Sequence, residues 1–214
     1  MALRRDDHRM SVEDYFKLRE SDPDHRYEYV DGEVYMMTGG SVRHSRVGFN
    51  LAHVIENLLG DSPCVVYNSD ACFQVAEDRY VCPDVTVSCD PRDSDESAEE
   101  EDLKTLQYPC FVAEVHSPST QRLDLDVKST FYQDYPTIQE FLLVGTKAPK
   151  VRLYQRESNN RWTIYILNYE DEVELTSLGV HFPVAALYKK TRFSKSEPEA
   201  SAISPFESLP LRPT

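Results

Sequence analysis

The segment CFVAEVHSPST at residues 110–120 carries the strongest structural signal in this chain. Its first half alternates as a β-strand does, with a period of two. One face of the predicted strand is apolar and consists of Phe111, Ala113 and Val115. Glu114 lies on the other face, between Val112 and His116. Because a buried acid is rare unless it is paired or bound to a metal, Glu114 is a candidate functional residue.

A second carboxylate stands in an unusual place upstream. Asp84 directly follows Pro83 at the head of VTVSC, another short β-rich run. If the two strands are neighbours, the carboxylates of Asp84 and Glu114 face each other across the sheet. Two such anions require a shared proton, a basic side chain or a metal, and a few hard oxygen ligands suit Mg²⁺ or Mn²⁺. A structural pairing with a lysine explains the same spacing equally well, so both interpretations stay open here.

Lys128 lies in the segment QRLDLDVKSTFYQDY, which is predicted to be an amphipathic helix. It follows Asp124 by one helical turn, a spacing typical of a surface ion pair. The helix begins just after the strand of Glu114, however, so its inner face could also bring the Lys128 ammonium over the strand end. A cation there would orient an attacking water or offset the charge that develops on a phosphate.

Two further candidates precede these residues. His44 stands one turn before Val47 on the core side of a predicted long helix, where a satisfied buried histidine is the simpler explanation. Glu28, in the hairpin, is a weaker candidate, as is His116 beside Glu114.

The remaining patterns predict an α+β chain. Ser11 caps a first helix, Asp31-Gly32 forms the turn of a β-hairpin, and the long helix runs from Ser41 to Gly60. Its expected buried stripe is Val47, Leu51, Val54, Ile55 and Leu58. The runs CVVYNSDACFQV, YVCPDVTVSC and CFVAEVHS are predicted as three strands of one sheet. Further strands are expected at EFLLVG, VRLYQR, WTIYIL and VELTSL.

Length and composition fit one domain with appendages. The 214 residues divide into an N-terminal extension (1–10), a folded domain (11–193) and a proline-rich tail (194–214) that we expect to be disordered. The net charge is −14, and a dense group of acids is predicted to form a solvated loop at 90–104. This charge disfavours avid binding of nucleic acid.

The number of cysteines and the hydropathy of the chain indicate in which cellular compartment the protein is expected. The five cysteines are an odd number and lack the short spacings of zinc or redox sites, so we expect reduced thiols. No apolar run approaches the roughly 18 residues of a membrane span, and the N-terminus has no apolar signal core. We expect a soluble, cytoplasmic protein that is not exported and has no membrane partner.

Taken in order, YEYVDGE, His44, PDV, EVHSPST and the pair Asp124 and Lys128 resemble the Uma-two family. That family comprises restriction-endonuclease-like proteins and is a branch of the PD-(D/E)xK nuclease superfamily. The resemblance extends roughly from Met10 to Arg192 and implies a mixed β-sheet flanked by helices, with additional C-terminal strands.

The resemblance also implies roles for the candidate residues. Asp84 and Glu114 would be the metal-binding acids, and Glu28 and His44 would be their active-site neighbours. The superfamily places a lysine two residues after the second acid, where this chain has His116. Lys128 would perform that role from the helix, and Asp124 would either position it or simply pair with it.

The implied activity is hydrolysis of phosphodiester bonds in DNA by an endonuclease that uses Mg²⁺ or Mn²⁺. Two alternatives remain: a degenerate nuclease fold that acts as a binding module, and a hydrolase of a small phosphorylated substrate. The acidic balance disfavours DNA as a partner. Pairing through the later strands could build a homodimer.

Overall fold

The computed structural model describes residues 9–37, 40–94, 105–116 and 128–193. The α-helices of this part are α1 Val12–Ser21, α2 Val42–Leu59, α3 Ser129–Asp134 and α4 Val184–Leu187. The strands are β1 Arg26–Val30, β2 Glu33–Met37, β3 Val65–Asn68, β4 Phe73–Ala76, β5 Arg79–Val81, β6 Val85–Ser88, β7 Pro109–His116, β8 Glu140–Gly145, β9 Val151–Arg156, β10 Trp162–Leu167, β11 Glu172–Leu175 and β12 Val180–Pro183. The predicted N-terminal extension lies largely outside the described residues, and the predicted tail lies entirely outside them.

The central element is a six-stranded mixed sheet with the order β10-β9-β8-β7-β6-β3. The pair β7 and β8 is parallel, whereas the other neighbours run antiparallel. β7 is the strand predicted from CFVAEVHS, and it lies between β6 and β8. The strand that follows Asp84 and the strand that carries Glu114 are therefore neighbours.

Each face of this sheet is covered by its own hydrophobic core. The Phe111, Ala113 and Val115 face packs with α2, α4 and the β11-β12 hairpin. The opposite face buries Val112 among aromatic side chains that include Tyr132 of α3. Successive side chains of β7 point to opposite faces of the sheet. The alternation predicted from the sequence therefore assigns them in turn to the two different cores.

The long helix α2 forms between the predicted caps. Ser41 Oγ accepts a hydrogen bond from the His44 backbone N–H, and Gly60 ends the helix with a φ of 52°. The predicted stripe is wrong at Leu58, which is 47% exposed, and Leu59 is buried in its place. Helical spacing permits either leucine near the end of the stripe, and the position of the sheet selects Leu59.

The expectation that the three central runs form one sheet is wrong. β4 and β5 leave the six-stranded sheet and join the N-terminal hairpin in a four-stranded sheet of order β2-β1-β5-β4. β3 and β6 remain beside β7. The chain passes between the two sheets at the turn after Asn68 and again at Asp84, just before β6.

The cysteines are also paired in a way that the spacing did not predict. Cys64 forms a disulfide with Cys89, and Cys72 forms one with Cys82, while Cys110 is free. Each pair extends an antiparallel ladder by one residue, since β3 pairs with β6 and β4 with β5. Strand register therefore brings these sulfur atoms together, and the expectation of reduced thiols is wrong for four of the five cysteines.

The start of the predicted acidic loop is ordered and partly buried. Asp93 ends a short 3₁₀ turn (Pro91–Asp93) and is only 7% exposed. Its carboxylate accepts hydrogen bonds from the Ser88 hydroxyl and from the backbone N–H groups of Gln107 and Tyr108. Asp93 thus closes the base of the loop and is not one of its solvated acids; residues 95–104 lie outside the described part.

β10 forms one edge of the six-stranded sheet and exposes three consecutive apolar side chains, namely Ile164, Tyr165 and Ile166. The homodimer expected through a later strand stays a prediction. In the described ranges, none of the helices is both long enough and apolar enough to span a bilayer.

Glu140, at the start of β8, is a buried acid that the sequence did not single out. It is 1% exposed, and its carboxylate accepts hydrogen bonds from the backbone N–H groups of Thr176 and Ser177 at 2.8 and 3.0 Å. These bonds tie the turn between β11 and β12 to the main sheet, so the role of Glu140 is structural.

Replacement of Glu140 by alanine should lower the free energy of unfolding by about 2–4 kcal/mol, because the turn between β11 and β12 loses the charged acceptor of its two N–H groups. Urea denaturation followed by circular dichroism measures this change. Glu174→Ala, an exposed position on β11, is the control and should change stability by no more than about 0.5 kcal/mol. Equal effects of the two substitutions would contradict the structural role of Glu140.

Candidate functional site

Glu114 lies in the middle of the sheet and is almost fully enclosed. It occupies the face of β7 opposite α2 and is 3% exposed. Its Oε1 atom accepts hydrogen bonds from Lys128 Nζ at 2.9 Å and from the Tyr132 hydroxyl at 2.5 Å. A carboxylate in this position is stabilised in its charged form by donors that arrive from the neighbouring helix.

Lys128 immediately precedes α3 and is 2% exposed. Its Nζ atom also contacts Glu28 Oε1 at 2.8 Å, so one ammonium group bridges Glu28 and Glu114. The interpretation of Lys128 as a surface residue is therefore wrong, whereas its expected approach to the acid on β7 is confirmed. Asp124, its predicted partner, lies outside the described residues.

Glu28 connects the two large sheets at this point. It is on β1 of the four-stranded sheet, it is 1% exposed, and its Oε1 atom accepts the Cys82 backbone N–H at 2.9 Å. Cys82 stands two residues before Asp84. The hairpin acid thus contacts both the bridging lysine and the Pro-Asp turn, and it is more central than its weak sequence signal indicated.

Asp84 lies at the other end of the cluster. Its Oδ2 atom accepts the Val115 backbone N–H at 2.7 Å and lies 3.2 Å from His44 Nε2. Because Val85 is paired with Ala113, continuing the register by one residue places Asp84 beside Glu114. Direct contacts therefore join Glu28, Lys128 and Glu114 in one group and His44 with Asp84 in another, and strand register makes Asp84 and Glu114 neighbours.

His116 does not replace the superfamily lysine in this cluster. It ends β7, and its ring is directed toward Gly145 on the neighbouring strand β8. The pKa of His116 is lowered, first by burial and then by the positive charges of Arg152 and His44. Its neighbours are therefore basic groups, and the ammonium beside Glu114 comes from the start of α3.

The charges of the cluster permit a divalent cation. The carboxylates of Glu28, Asp84 and Glu114 outnumber the single ammonium of Lys128, and His44 lies beside Asp84. A surplus of acids in a largely buried region favours a bound cation. Within the described ranges, no set of three His, Cys, Asp or Glu side chains is arranged to hold a metal. Two acids fit Mg²⁺ or Mn²⁺, because these ions retain several waters and bind through one or two carboxylates.

Comparison with known protein families identifies the family of this chain. The model of the family described as "Uma2: Putative restriction endonuclease" matches residues 12–185, which is more than half of the chain. The chain belongs to the Uma2 family. The resemblance read from the Pro-Asp, Glu-x-x-Ser-Pro-Ser-Thr and lysine motifs is thereby confirmed.

Two relatives of this Uma2 protein come from Synechocystis sp. (strain ATCC 27184 / PCC 6803 / Kazusa). The uncharacterized protein slr1290 is 36% identical over 188 residues, which cover 86% of this chain and 94% of the relative. The uncharacterized protein sll1609 is 30% identical over 165 residues, which cover 76% of this chain and 90% of the relative. The similarity thus spans nearly the whole length of both relatives.

A solved structure supports the fold of this Uma2 protein. The crystal structure of "a putative nuclease belonging to DUF820" from Anabaena variabilis ATCC 29413 superimposes with a TM-score of 0.65 at 18% identity. The match covers 83% of this chain and 97% of the Anabaena chain. The predicted fold class, a mixed α+β nuclease fold, is confirmed.

Two members of the cluster were not predicted from the sequence. Tyr132 is fully buried and donates its hydroxyl hydrogen to Glu114, and the backbone N–H of Cys82 binds Glu28. The spacing of Lys128 and Tyr132, one helical turn, was the available signal for the tyrosine. The contribution of Cys82 had no such signal, because backbone groups carry no residue-specific pattern.

Proposed function

We propose that this protein is a metal-dependent endonuclease that hydrolyses phosphodiester bonds in DNA. The observation that carries the proposal is the buried ion-pair cluster of Glu28, Lys128 and Glu114 beside Asp84. Ionised groups are costly to bury, so a cluster of this kind is more typical of a functional site than of a stabilising device. Membership of the Uma2 family supports the same reaction class.

Each side chain has a role that follows from its contacts. Asp84 and Glu114 would hold Mg²⁺ or Mn²⁺, which lowers the pKa of a bound water and stabilises negative charge on a phosphate. His44 contacts Asp84 and keeps its carboxylate oriented toward β7. Glu28 holds Lys128, and Lys128 presents a positive charge next to Glu114, where charge develops on the phosphate during the reaction.

Binding of Mn²⁺ should depend on both acids. We expect Asp84→Asn and Glu114→Gln each to weaken Mn²⁺ binding at least about tenfold, because each removes a charged oxygen ligand. Calorimetric titration of the full chain with Mn²⁺ measures the effect, and Glu56→Gln on the exposed side of α2 is the control. A heat of binding that is unchanged in both site variants would contradict the metal assignment.

The Mn²⁺ titration, combined with a plasmid-cleavage assay, distinguishes a nuclease from a degenerate nuclease fold that acts only as a binding module. A module would bind no Mn²⁺ through Glu114 and would leave supercoiled plasmid intact with Mg²⁺ or Mn²⁺. A nuclease shows binding that depends on Glu114 together with nicking or linearisation of the plasmid. Cleavage of small phosphate esters in place of plasmid would favour a hydrolase of small substrates.

A further inference from the structure

A cavity of 310 Å³ opens at the ends of β7, β8 and β9, beside the candidate active site. Four basic side chains contribute to its lining, namely His116, Lys147, Lys150 and Arg152. Leu143 and Ile166 provide apolar surface. This concentration of basic groups stands out in a chain whose net charge is −14.

Within the part of the chain that the structure describes, the lysines and the arginine of the cavity have no acidic partner. Lys147, Lys150 and Arg152 are exposed, and in the described ranges none of them forms an ion pair. Some exposed cations elsewhere in those ranges are paired, as Lys17 is with Glu13, whereas the three cavity cations lie close together around one concave site. Unpaired cations around a concave site attract a phosphate more strongly than cations on a flat surface, because the cavity focuses the field.

The cavity is held in a fixed shape. The loop that follows β8 is closed by a hydrogen bond from the Gly145 N–H to the Lys150 carbonyl at 3.0 Å. The Thr146 N–H donates to the His116 carbonyl, and Arg43 of α2 donates to the Thr146 carbonyl at 3.0 Å. The backbone of the loop is thus anchored to β7 and α2, so its lysines project from a rigid base.

Strand register places the cavity close to the proposed metal ligands. Glu114 is paired with Leu143 on β8, and Leu143 is paired with Arg152 on β9. Since neighbouring strands are about 4.8 Å apart, Arg152 originates about 10 Å from Glu114 on the same face of the sheet. α2 makes a second link, because Arg43 contacts the cavity loop and the adjacent His44 contacts Asp84.

We propose that this basic cavity binds a backbone phosphate of the DNA next to the one being cleaved. The inference rests on the proposed nuclease function and gives the site a substrate-positioning surface. A phosphate held there fixes the register of the strand over Asp84 and Glu114 without reading its sequence. Local positive charge at the site also reconciles the acidic composition of the protein with a polyanionic substrate.

The test is DNA binding in the absence of divalent metal, so that it does not depend on catalysis. Fluorescence anisotropy of a labelled duplex at low salt compares the wild-type protein with the double variant Lys147→Ala/Lys150→Ala. We expect at least tenfold weaker binding and a shallower dependence of affinity on salt, since each lost phosphate contact reduces the slope by about 0.9. Arg152→Ala should show a smaller loss in the same direction.

The control is Lys17→Ala/Arg161→Ala, which removes the same total charge from exposed positions on α1 and on the turn between β9 and β10. The proposal is overturned if this control and the cavity variant lose affinity equally, or if the wild-type protein binds no DNA. Binding of inorganic phosphate that depends on Lys147 and Lys150, without any binding of the duplex, would assign the cavity to a small phosphorylated ligand and would also overturn it.

Failure of this proposal is distinguishable from failure of the nuclease proposal. DNA binding that depends on the cavity, without cleavage by the wild type in Mg²⁺ or Mn²⁺, would retain the cavity assignment and refute the nuclease. Cleavage with an unchanged KM in Lys147→Ala/Lys150→Ala would retain the nuclease and refute the cavity assignment.

Discussion

Glu114→Gln is expected to reduce cleavage of supercoiled plasmid at least about a thousandfold in the presence of Mg²⁺ or Mn²⁺. The substitution preserves the size of the side chain and an oxygen that can accept from Lys128 and Tyr132. It removes the negative charge that would hold the cation. Gel analysis of nicked and linear plasmid over time, at several metal concentrations, measures the loss.

Folding must be unaffected for this result to be informative. The variant keeps the ion pair between Lys128 and Glu28, so we expect its thermal unfolding midpoint to stay close to that of the wild type. Glu174→Gln on the exposed face of β11 should cleave as the wild type does. Cleavage that persists equally in Glu114→Gln, or in the wild type with EDTA, would refute the metal-dependent nuclease.

Lys128→Met is expected to abolish most turnover and also to destabilise the protein. The methionine has a similar length but leaves Glu28 and Glu114 buried without the ammonium that lies 2.8 and 2.9 Å from them. Removing one partner of a buried ion pair costs about 3–5 kcal/mol. Urea denaturation followed by circular dichroism measures this loss.

A double variant separates the structural role of Lys128 from its chemical role. Lys128→Met/Glu28→Gln removes one of the two opposed carboxylates and should recover much of the lost stability. Its cleavage rate should remain at least about a hundredfold below that of the wild type, because the positive charge beside Glu114 is still missing. Full recovery of cleavage in the double variant would show that Lys128 acts only through folding.

The affinity for Mn²⁺ provides an independent test of the role of Lys128. Loss of the ammonium makes the cluster more negative, so Mn²⁺ should bind Lys128→Met at least as tightly as it binds the wild type. The lysine would then act on the reacting phosphate and not as support for the cation. Loss of Mn²⁺ binding in Lys128→Met would contradict this division of roles.

Much of the fold was predictable because its signals are local. The alternation of residues 111–116 identifies the central strand, Ser41 and Gly60 delimit α2, and Asp31-Gly32 marks the first hairpin. Each of these signals lies within a few residues of the structure that it determines. The ends of such patterns are less certain, and for this reason Leu58 was predicted to be buried in place of Leu59.

The candidate site was predictable only in part. Asp84, Glu114 and Lys128 were selected by motif and spacing, and the structure places Lys128 against Glu114 and Asp84 at the neighbouring register position. The importance of Glu28 was underestimated, since its contact with Lys128 joins residues 100 positions apart in the sequence. The division of the central strands between two sheets could not be read from their composition, because the runs have the same β-rich pattern.

The sequence by itself indicated most of the strands, the first two helices, the family and the candidate acids and lysine, because periodicity, caps and motifs act over short distances along the chain. Only the tertiary structure decided which charges are compensated and which are not. The tertiary arrangement places Lys128 between two acids, pairs four of the cysteines and gathers basic side chains around His116 that have no ion pair within the described residues. Those contacts depend on strand order, and strand order is fixed by the packing of whole elements.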